Sequence, residues 1–389
     1  MSQEFDHFFC DFMNAAFGYK IPAPKFLATD WTALPAKTVE SDSNHFQVAG
    51  LFDIRAWATK RSDAADAARW DQQQTWAAEI AEEARSLTPE TIQAQFKITR
   101  TRYDEDDFAS DIWNCKINHG YWEQHFMLHS DGYDEELMRP TARRGFHDSY
   151  YTSRFEQALL ESVRRVSAVE DGALRFSGME FGFAFHSGGW WHDDWMNQSN
   201  WQRNPHFAKV AKGTYAGGRL FFRELAGDHP VVLADGAFPK QTLLTGELVD
   251  VTRAMADRSD TVVFCVPPHL EKARLKDVEQ AKQTTLLVSG RFVHHAWAPT
   301  LAGVAKPLLE RLARGETVTI LVQAGVFSAL LACYLKAAKA ALNLPGRTYY
   351  LDLGQAIDVV TPDTGGNWIG NKAGSDALAG IQNPFELAG

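Results

Sequence analysis

The 389-residue chain has little cysteine. Its four thiols, Cys10, Cys115, Cys265 and Cys333, stand far apart and form no C-x-x-C pair. That spacing predicts reduced thiols in a cytoplasmic protein, with no zinc site. Long hydrophobic runs are missing as well. No window approaches the roughly eighteen uninterrupted apolar residues of a bilayer-spanning helix, so no membrane span is expected. The start, Met1-Ser2-Gln3-Glu4-Phe5-Asp6, is acidic and lacks the basic stretch of a signal peptide. Positive charge is also short, with 39 Lys and Arg against 49 Asp and Glu. Residues 1–168 hold 27 acids and 18 bases, a balance of −9, and residues 169–389 hold 22 acids and 21 bases, a balance of −1. An acidic first half grips a phosphate backbone poorly, which disfavours nucleic acid as a partner. The chain has no G-x-S-x-G, Walker A, H-E-x-x-H or zinc-deaminase signature, which argues against four hydrolytic classes.

What is present has the ordinary apolar content of a globular protein, 45%, enough for one large or two medium domains. The chain is organised around residues 316–360. Val318 to Val322 is a β-branched apolar run, the composition of a strand buried on both faces. After Gln323-Ala324-Gly325, apolar residues from Val326 to Leu342 recur at helical spacing, and Asn343-Leu344-Pro345-Gly346 stops the helix. Arg347 to Leu353 resumes as strand. This is a β-α-β unit, and ligands of such sheets sit beyond the carboxyl ends of the strands. Further short strands are expected at Leu174–Phe176, Val231–Ala234, Thr261–Val266 and Thr284–Val288, with helical patterns at Leu270–Ala281 and Pro299–Ala313.

The fold class is therefore α/β, a Rossmann-like, mostly parallel sheet with helices on both faces, plus a mainly helical N-terminal region. In that N-terminal region, Ala64–Leu87 reads as a helix, Thr88-Pro89 as a helix start, and Phe155–Val166 as a second helix. Residues 103–151 are rich in aromatics and histidine without a clean period. The expected domains are 1–168, 169–361 for the α/β domain, and 362–389 as a loosely held tail from which Trp368 and Phe385 can dock on the body. The acid run Asp104-Glu105-Asp106-Asp107 reads as a solvated loop or helix start.

Several constellations carry chemistry. Gln323-Ala324-Gly325 can present a helix N-terminus to a phosphate. Its single glycine argues against a dinucleotide fingerprint. Asp352, with Gly354 after it, lies at a strand end, where an acid can take ribose hydroxyls. Ser289-Gly290-Arg291 offers small residues and a cation that can pair a diphosphate bidentately. Glu180 follows Arg175-Phe176-Ser177-Gly178-Met179 past an expected strand. Between His186 and Trp195, four glycine and tryptophan residues precede His192, Asp193 and Asp194. That loop can cover a ligand, and His192 or Asp193 can supply a base or a metal ligand.

These segments resemble the GT-D class of glycosyltransferases over residues 169–360. Arg175-Phe176-Ser177-Gly178-Met179-Glu180-Phe181 is similar to that family's Arg-Phe-Gly-Asp-Gly-Glu-Phe segment. Leu287 to Arg291 is similar to its small-residue turn. Leu351-Asp352-Leu353-Gly354-Gln355-Ala356-Ile357-Asp358 is similar to its closing Asp-Ile-Gly-His-Ile-Asp. Gly178 stands in place of the family's Asp, and Gln355 in place of its His. The resemblance implies transfer of a sugar from a nucleotide-sugar donor to an acceptor hydroxyl. Ser289, Gly290, Arg291, Gln323, Ala324 and Gly325 would lie on the diphosphate, and Asp352 or Asp358 on ribose or sugar hydroxyls. Arg175 or Arg291 would stabilise the charge of the leaving diphosphate where no metal does so. Glu180 would act as base or as ligand to Mn²⁺ or Mg²⁺, so that Glu180→Ala abolishes transfer without changing the melting temperature. The acceptor is open between glycan, protein and modified nucleic-acid base. A non-catalytic nucleotide- or carbohydrate-binding protein is the alternative, as is another Rossmann-like enzyme, an oxidoreductase or methyltransferase.

Overall fold

The computed structural model describes residues 2–17, 47–48, 52–53, 64–94, 96–97, 103–130, 134–138, 153–184, 198–203, 205–231, 233–235, 242–243, 245–288, 297–360 and 383–388. Eight strands form one sheet: β1 (Phe96–Lys97), β2 (Ile112–Asn118), β3 (Glu180–Ala184), β4 (Leu233–Asp235), β5 (Thr261–Val266), β6 (Gln283–Leu287), β7 (Thr317–Val322) and β8 (Arg347–Asp352). Their order across the sheet is β6-β5-β7-β8-β2-β3-β4-β1, and every neighbouring pair is parallel. The α/β class read from the sequence is thus the observed one.

Side chains alternate between two buried clusters, as the twofold period of a strand requires. On one face lie Val263, Cys265, Ile320, Val322, Tyr350, Cys115 and Phe181. They are covered by α1 (Ser2–Phe17), α2 (Ala64–Ser86), α4 (His119–His129), α5 (Ser153–Val166), α7 (Pro205–Ala226), α9 (Trp297–Ala313) and α10 (Phe327–Ala341). The short α3 (Pro89–Gln93) and α6 (Gln198–Arg203) precede β1 and α7. On the other face lie Val262, Phe264, Val266, Leu321, Tyr349 and Leu351. There α8 (Glu247–Asp257) packs Leu248, Val251 and Met255 against the sheet, with Leu270, Leu275, Ile357 and Phe385 beside them.

Local chemistry accounts for the element ends. Thr88 caps α3 in a capping box with Thr91, and Pro89 takes the first helical turn, where its missing N–H costs nothing. Asp104 Oδ1 accepts from the N–H groups of Asp106 and Asp107, while Asp107 Oδ2 accepts from the N–H of Asp104. The acid run thus builds the turn that starts a 3₁₀ helix at Asp107.

The structure corrects four expectations. Ile112–Asn118 is a central strand between β8 and β3, so the expected boundary near residue 168 does not separate the N-terminal region from the sheet. Residues Ala173–Phe176 are outside the main sheet and pair antiparallel with Ser167–Glu170 in a hairpin. Leu270–Ala281 is not a helix but a 3₁₀ turn, the strand Ala273–Leu275 and further turns. The strand Ala273–Leu275 pairs antiparallel with Phe385–Leu387. That pairing, with Phe385 buried, anchors the last described residues of what was expected to be a loose tail.

Candidate functional site

The route of the chain picks out one edge. From β5 the chain moves outward to β6, and from β7 it moves inward to β8. The connections leave β5 and β7 in opposite directions, which makes a topological switch point at their carboxyl ends, the position where α/β sheets open a crevice for ligands. Gln323-Ala324-Gly325 lies there, with the Gln323 N–H bonded to the Cys265 carbonyl at 3.0 Å. Gly325 has φ +55° and is exposed, and a Cβ at that position would meet nothing within 4 Å. Glycine is therefore used here for its backbone conformation, and among the described residues nothing fills the space in front of it. Ala324 is buried and Gln323 half-buried.

Asp352, the last residue of β8, comes from the neighbouring strand, level with Val322. It is only 2% exposed. Its Oδ1 accepts from the Gly354 N–H at 2.9 Å. Its Oδ2 is buried without a hydrogen-bond partner of ordinary geometry among the described residues. Burial pushes the Asp352 carboxyl above the usual carboxylate range, and Lys116, Ser328 and the N–H groups of Gly354 and Lys116 only partly oppose this. A buried carboxylate met by the Ser328 hydroxyl, the Gly354 and Lys116 N–H groups and the Lys116 charge is still costly to ionise. Lys116 reaches the same place from β2. A Cβ on Gly354 would collide with its Nζ and Cε, and Gly354 has φ +49°. Ser328, in the first turn of α10, lies 3.0 Å from the Tyr350 hydroxyl.

Glu180 lies elsewhere. It opens β3 and is the register partner of Asn114, which in turn is level with Leu351. Asp352 is one residue further along, so the two acids project from opposite faces of the sheet. Glu180 Oε2 accepts from the Tyr103 hydroxyl at 2.9 Å and from Asn114 Nδ2 at 3.2 Å, and Asn114 Nδ2 also donates to the Tyr103 oxygen at 3.3 Å. The expectation that Glu180 follows a sheet strand is therefore corrected: it begins one. Replacing it with alanine leaves two donors without their acceptor, so Glu180→Ala should lower stability by about 1–3 kcal/mol. A denaturant titration checks this, and an unchanged midpoint would restore the sequence expectation. Arg175 is exposed on the hairpin. Gly178 has φ +58°, and a Cβ there would sit 3.3 Å from Lys336 Nζ. That backbone conformation disfavours any side chain at residue 178.

The edge therefore brings together Gln323, Ala324, Gly325, Asp352 and Gly354. It leaves Glu180 and Arg175 apart from them. Asp358 belongs to the 3₁₀ segment Gly354–Val360 that follows β8. His192, Asp193, Ser289, Gly290 and Arg291 lie outside the described residues, although Val288, just before the last three, is buried beside β5 through its N–H bond to the Val266 carbonyl. Lys116 and Ser328 were missed in the sequence. The signal for Lys116 was a strand with apolar residues at 112, 113, 115 and 117, hidden because Asn114 and Lys116 interrupt it; Ser328 lies within the α10 pattern that was read, where nothing marks it as a polar contact for Asp352.

No family model, curated protein or solved structure matches this chain.

Proposed function

We propose that the chain binds a nucleotide-type, hydroxyl-rich ligand over the carboxyl edge of β5, β7 and β8, and that it acts as a glycosyltransferase on a nucleotide-sugar donor. One observation carries the binding half: the buried Asp352 carboxylate at the carboxyl end of β8, level with the end of the strand that leads into Gln323-Ala324-Gly325. A carboxylate in that position suits the paired donors of a ribose or sugar diol, and the α10 N-terminus next to it suits the adjoining diphosphate. In the transfer, the acceptor oxygen bonds to the anomeric carbon as the bond from that carbon to the diphosphate oxygen breaks. The nucleoside diphosphate leaves with the electron pair, and the acceptor proton passes to a base. Lys116 and Arg291 are the cations assigned to the leaving charge, and a Mn²⁺ or Mg²⁺ ion on the diphosphate belongs to the same proposal. Glu180, facing the other side of the sheet, is assigned to the acceptor side rather than to the anomeric centre. The reaction is assigned to the cytoplasm, with a glycan, a protein or a modified base as acceptor.

Thermal unfolding in the presence of a panel of nucleotides and nucleotide sugars, with and without Mn²⁺, tests the reading. A ligand at about 100 times its dissociation constant stabilises by about 2.7 kcal/mol. No shift with any member would end the proposal. A second reading, a non-catalytic binding protein, is favoured by the engagement of Glu180 with Tyr103 and Asn114. Binding without donor hydrolysis or transfer would decide for it.

A further inference from the structure

A second polar centre lies among the helices, outside the sheet-edge site. His125 and His129 stand one turn apart on α4, so they share a face, and α5 brings Glu156 to them. His125 Nδ1 is 3.6 Å from Glu156 Oε1, and His129 Nε2 is 3.4 Å from Glu156 Oε2. One ligand atom from each residue lies within 4.8 Å of the other two, and all three side chains are fully buried. Nitrogen and oxygen ligands held at about 2.0–2.2 Å from a tetrahedral zinc ion stand about 3.3–3.6 Å from one another; each imidazole meets its own oxygen of Glu156 at such a separation, and a small approach of the side chains brings one atom of each, within 4.8 Å here, onto a common ion. The rings are held in place by aromatic neighbours. Trp70 packs on His129 at 4.8 Å, and Tyr121 lies parallel to His125 at 6.2 Å.

A supporting layer surrounds these three. Arg69 NH2 donates to Glu156 Oε1 at 2.9 Å. Glu224, from α7, takes Arg69 through both Nε and NH2 at 2.8 Å, and Gln73 Nε2 donates to Glu224 at 2.7 Å. Metal-bound carboxylates are ordinarily oriented by such outer partners. Burial opposes ionisation of Glu156, but Arg69 and the two imidazoles outweigh it and hold that carboxyl well below its usual range. Arg69, Glu156 and Glu224 together carry one net negative charge while the imidazoles are neutral. A cavity of about 480 Å³ between α2 and the end of α4, lined by Gln74, Ala78, Phe126, Ser130 and Asp134, reaches His129.

We infer that His125, His129 and Glu156 form a binding site for one divalent transition-metal ion of the zinc type, with its fourth position toward the cavity beside His129. Two imidazoles and one carboxylate select such an ion over Mg²⁺ or Ca²⁺, which prefer oxygen shells. The inference stands independently of the nucleotide site.

The test uses the full, tag-free chain, stripped with a chelator and dialysed against Zn²⁺ or Co²⁺. One equivalent per chain is expected, with Co²⁺ giving the intense visible bands of a low-coordinate site. His129→Ala and Glu156→Gln should bind at least about tenfold more weakly while keeping the wild-type circular dichroism. If those variants do not fold, X-ray absorption of the zinc-loaded wild type decides. Two imidazoles and one carboxylate around the ion support the site, and any other shell overturns it. Wild-type protein that takes up neither ion, or folded variants that bind as tightly as wild type, would show that the cluster is an ion-pair network balanced by a proton.

Discussion

Asp352→Asn should abolish ligand binding while leaving the chain as stable as the wild type or more so. A hydrogen bond to a charged acceptor contributes about 1.5–3 kcal/mol, and a ligand diol makes two to one carboxylate, so affinity should fall by at least about 100-fold, equivalent to about 2.7 kcal/mol. Stability should move the other way. Burial outweighs every favourable contact of the Asp352 carboxylate, including Lys116, so its ionised form is less favourable in the fold than in water. A group whose carboxyl is raised in the folded state holds its proton longer there than in the unfolded chain. Its contribution to stability is therefore fully present below the ordinary aspartate range near 3.8 and is lost as pH rises through the raised value. Asparagine keeps an oxygen for the Gly354 N–H and removes that loss. The difference between variant and wild type should appear as pH rises out of the acid range. Denaturant midpoints across pH measure it. A variant that is less stable at neutral pH and binds ligand normally would make Asp352 a structural residue.

The largest effect on stability is expected at Gly217. Helices α4 and α7 touch backbone to backbone there, and a Cβ on Gly217 would overlap the Trp122 carbonyl group. Gly213, one turn earlier, meets the Leu137 carbonyl oxygen in the same way, at 2.6 Å from a hypothetical Cβ. The close approach lets the Trp122 ring pack on Phe221 at 5.4 Å and Phe222 at 5.6 Å. Alanine is the better helix former by about 0.5–1 kcal/mol, but a buried carbonyl cannot rotate away as a side chain can. Overpacking costs about 1–3 kcal/mol, occasionally more, and an overlap with a fixed carbonyl belongs at the upper end, so Gly217→Ala should destabilise by about 2 kcal/mol net. Gly303→Ala in α9 is the matched control. A Cβ there meets nothing within 4 Å, and the substitution should stabilise by about 0.5–1 kcal/mol. Equal effects at the two positions would contradict the packing argument.

The unit β7–α10–β8 was legible in the sequence because its strands are continuous apolar runs, buried on both faces, and its helix ends on Pro345-Gly346. Strand β5 was legible for the same reason. Strand β2 was not, since Asn114 and Lys116 place polar atoms within a central strand, and both belong to polar clusters that form only in the fold. Helix α4 escaped because nine of its eleven residues are buried. A helix enclosed on nearly every side has no polar stripe to reveal its period, and His125 and His129 were hidden with it. Leu174–Phe176 shows a different limit. A short β-prone run says that a strand forms but not which sheet it joins; here the adjacent Ser167–Glu170, across Asp171-Gly172, takes it into a local hairpin. The resemblance that pointed to Glu180 rested on such a run, so the residue was read at the wrong end of its strand. Asp352 and Gly325 depended on a β-α-β unit contained within the local sequence, and their placement at the carboxyl edge is the observed one.

The central claim is that a ligand seats at the carboxyl edge through Asp352. A crystal structure with the nucleotide or nucleotide sugar that gives the largest thermal shift tests it most directly. The account predicts a ligand hydroxyl hydrogen-bonded to Asp352 Oδ2, with the phosphates facing Gly325 and the first turn of α10. A ligand bound on the opposite face, against Tyr103, Asn114 and Glu180, with Asp352 untouched, would contradict it.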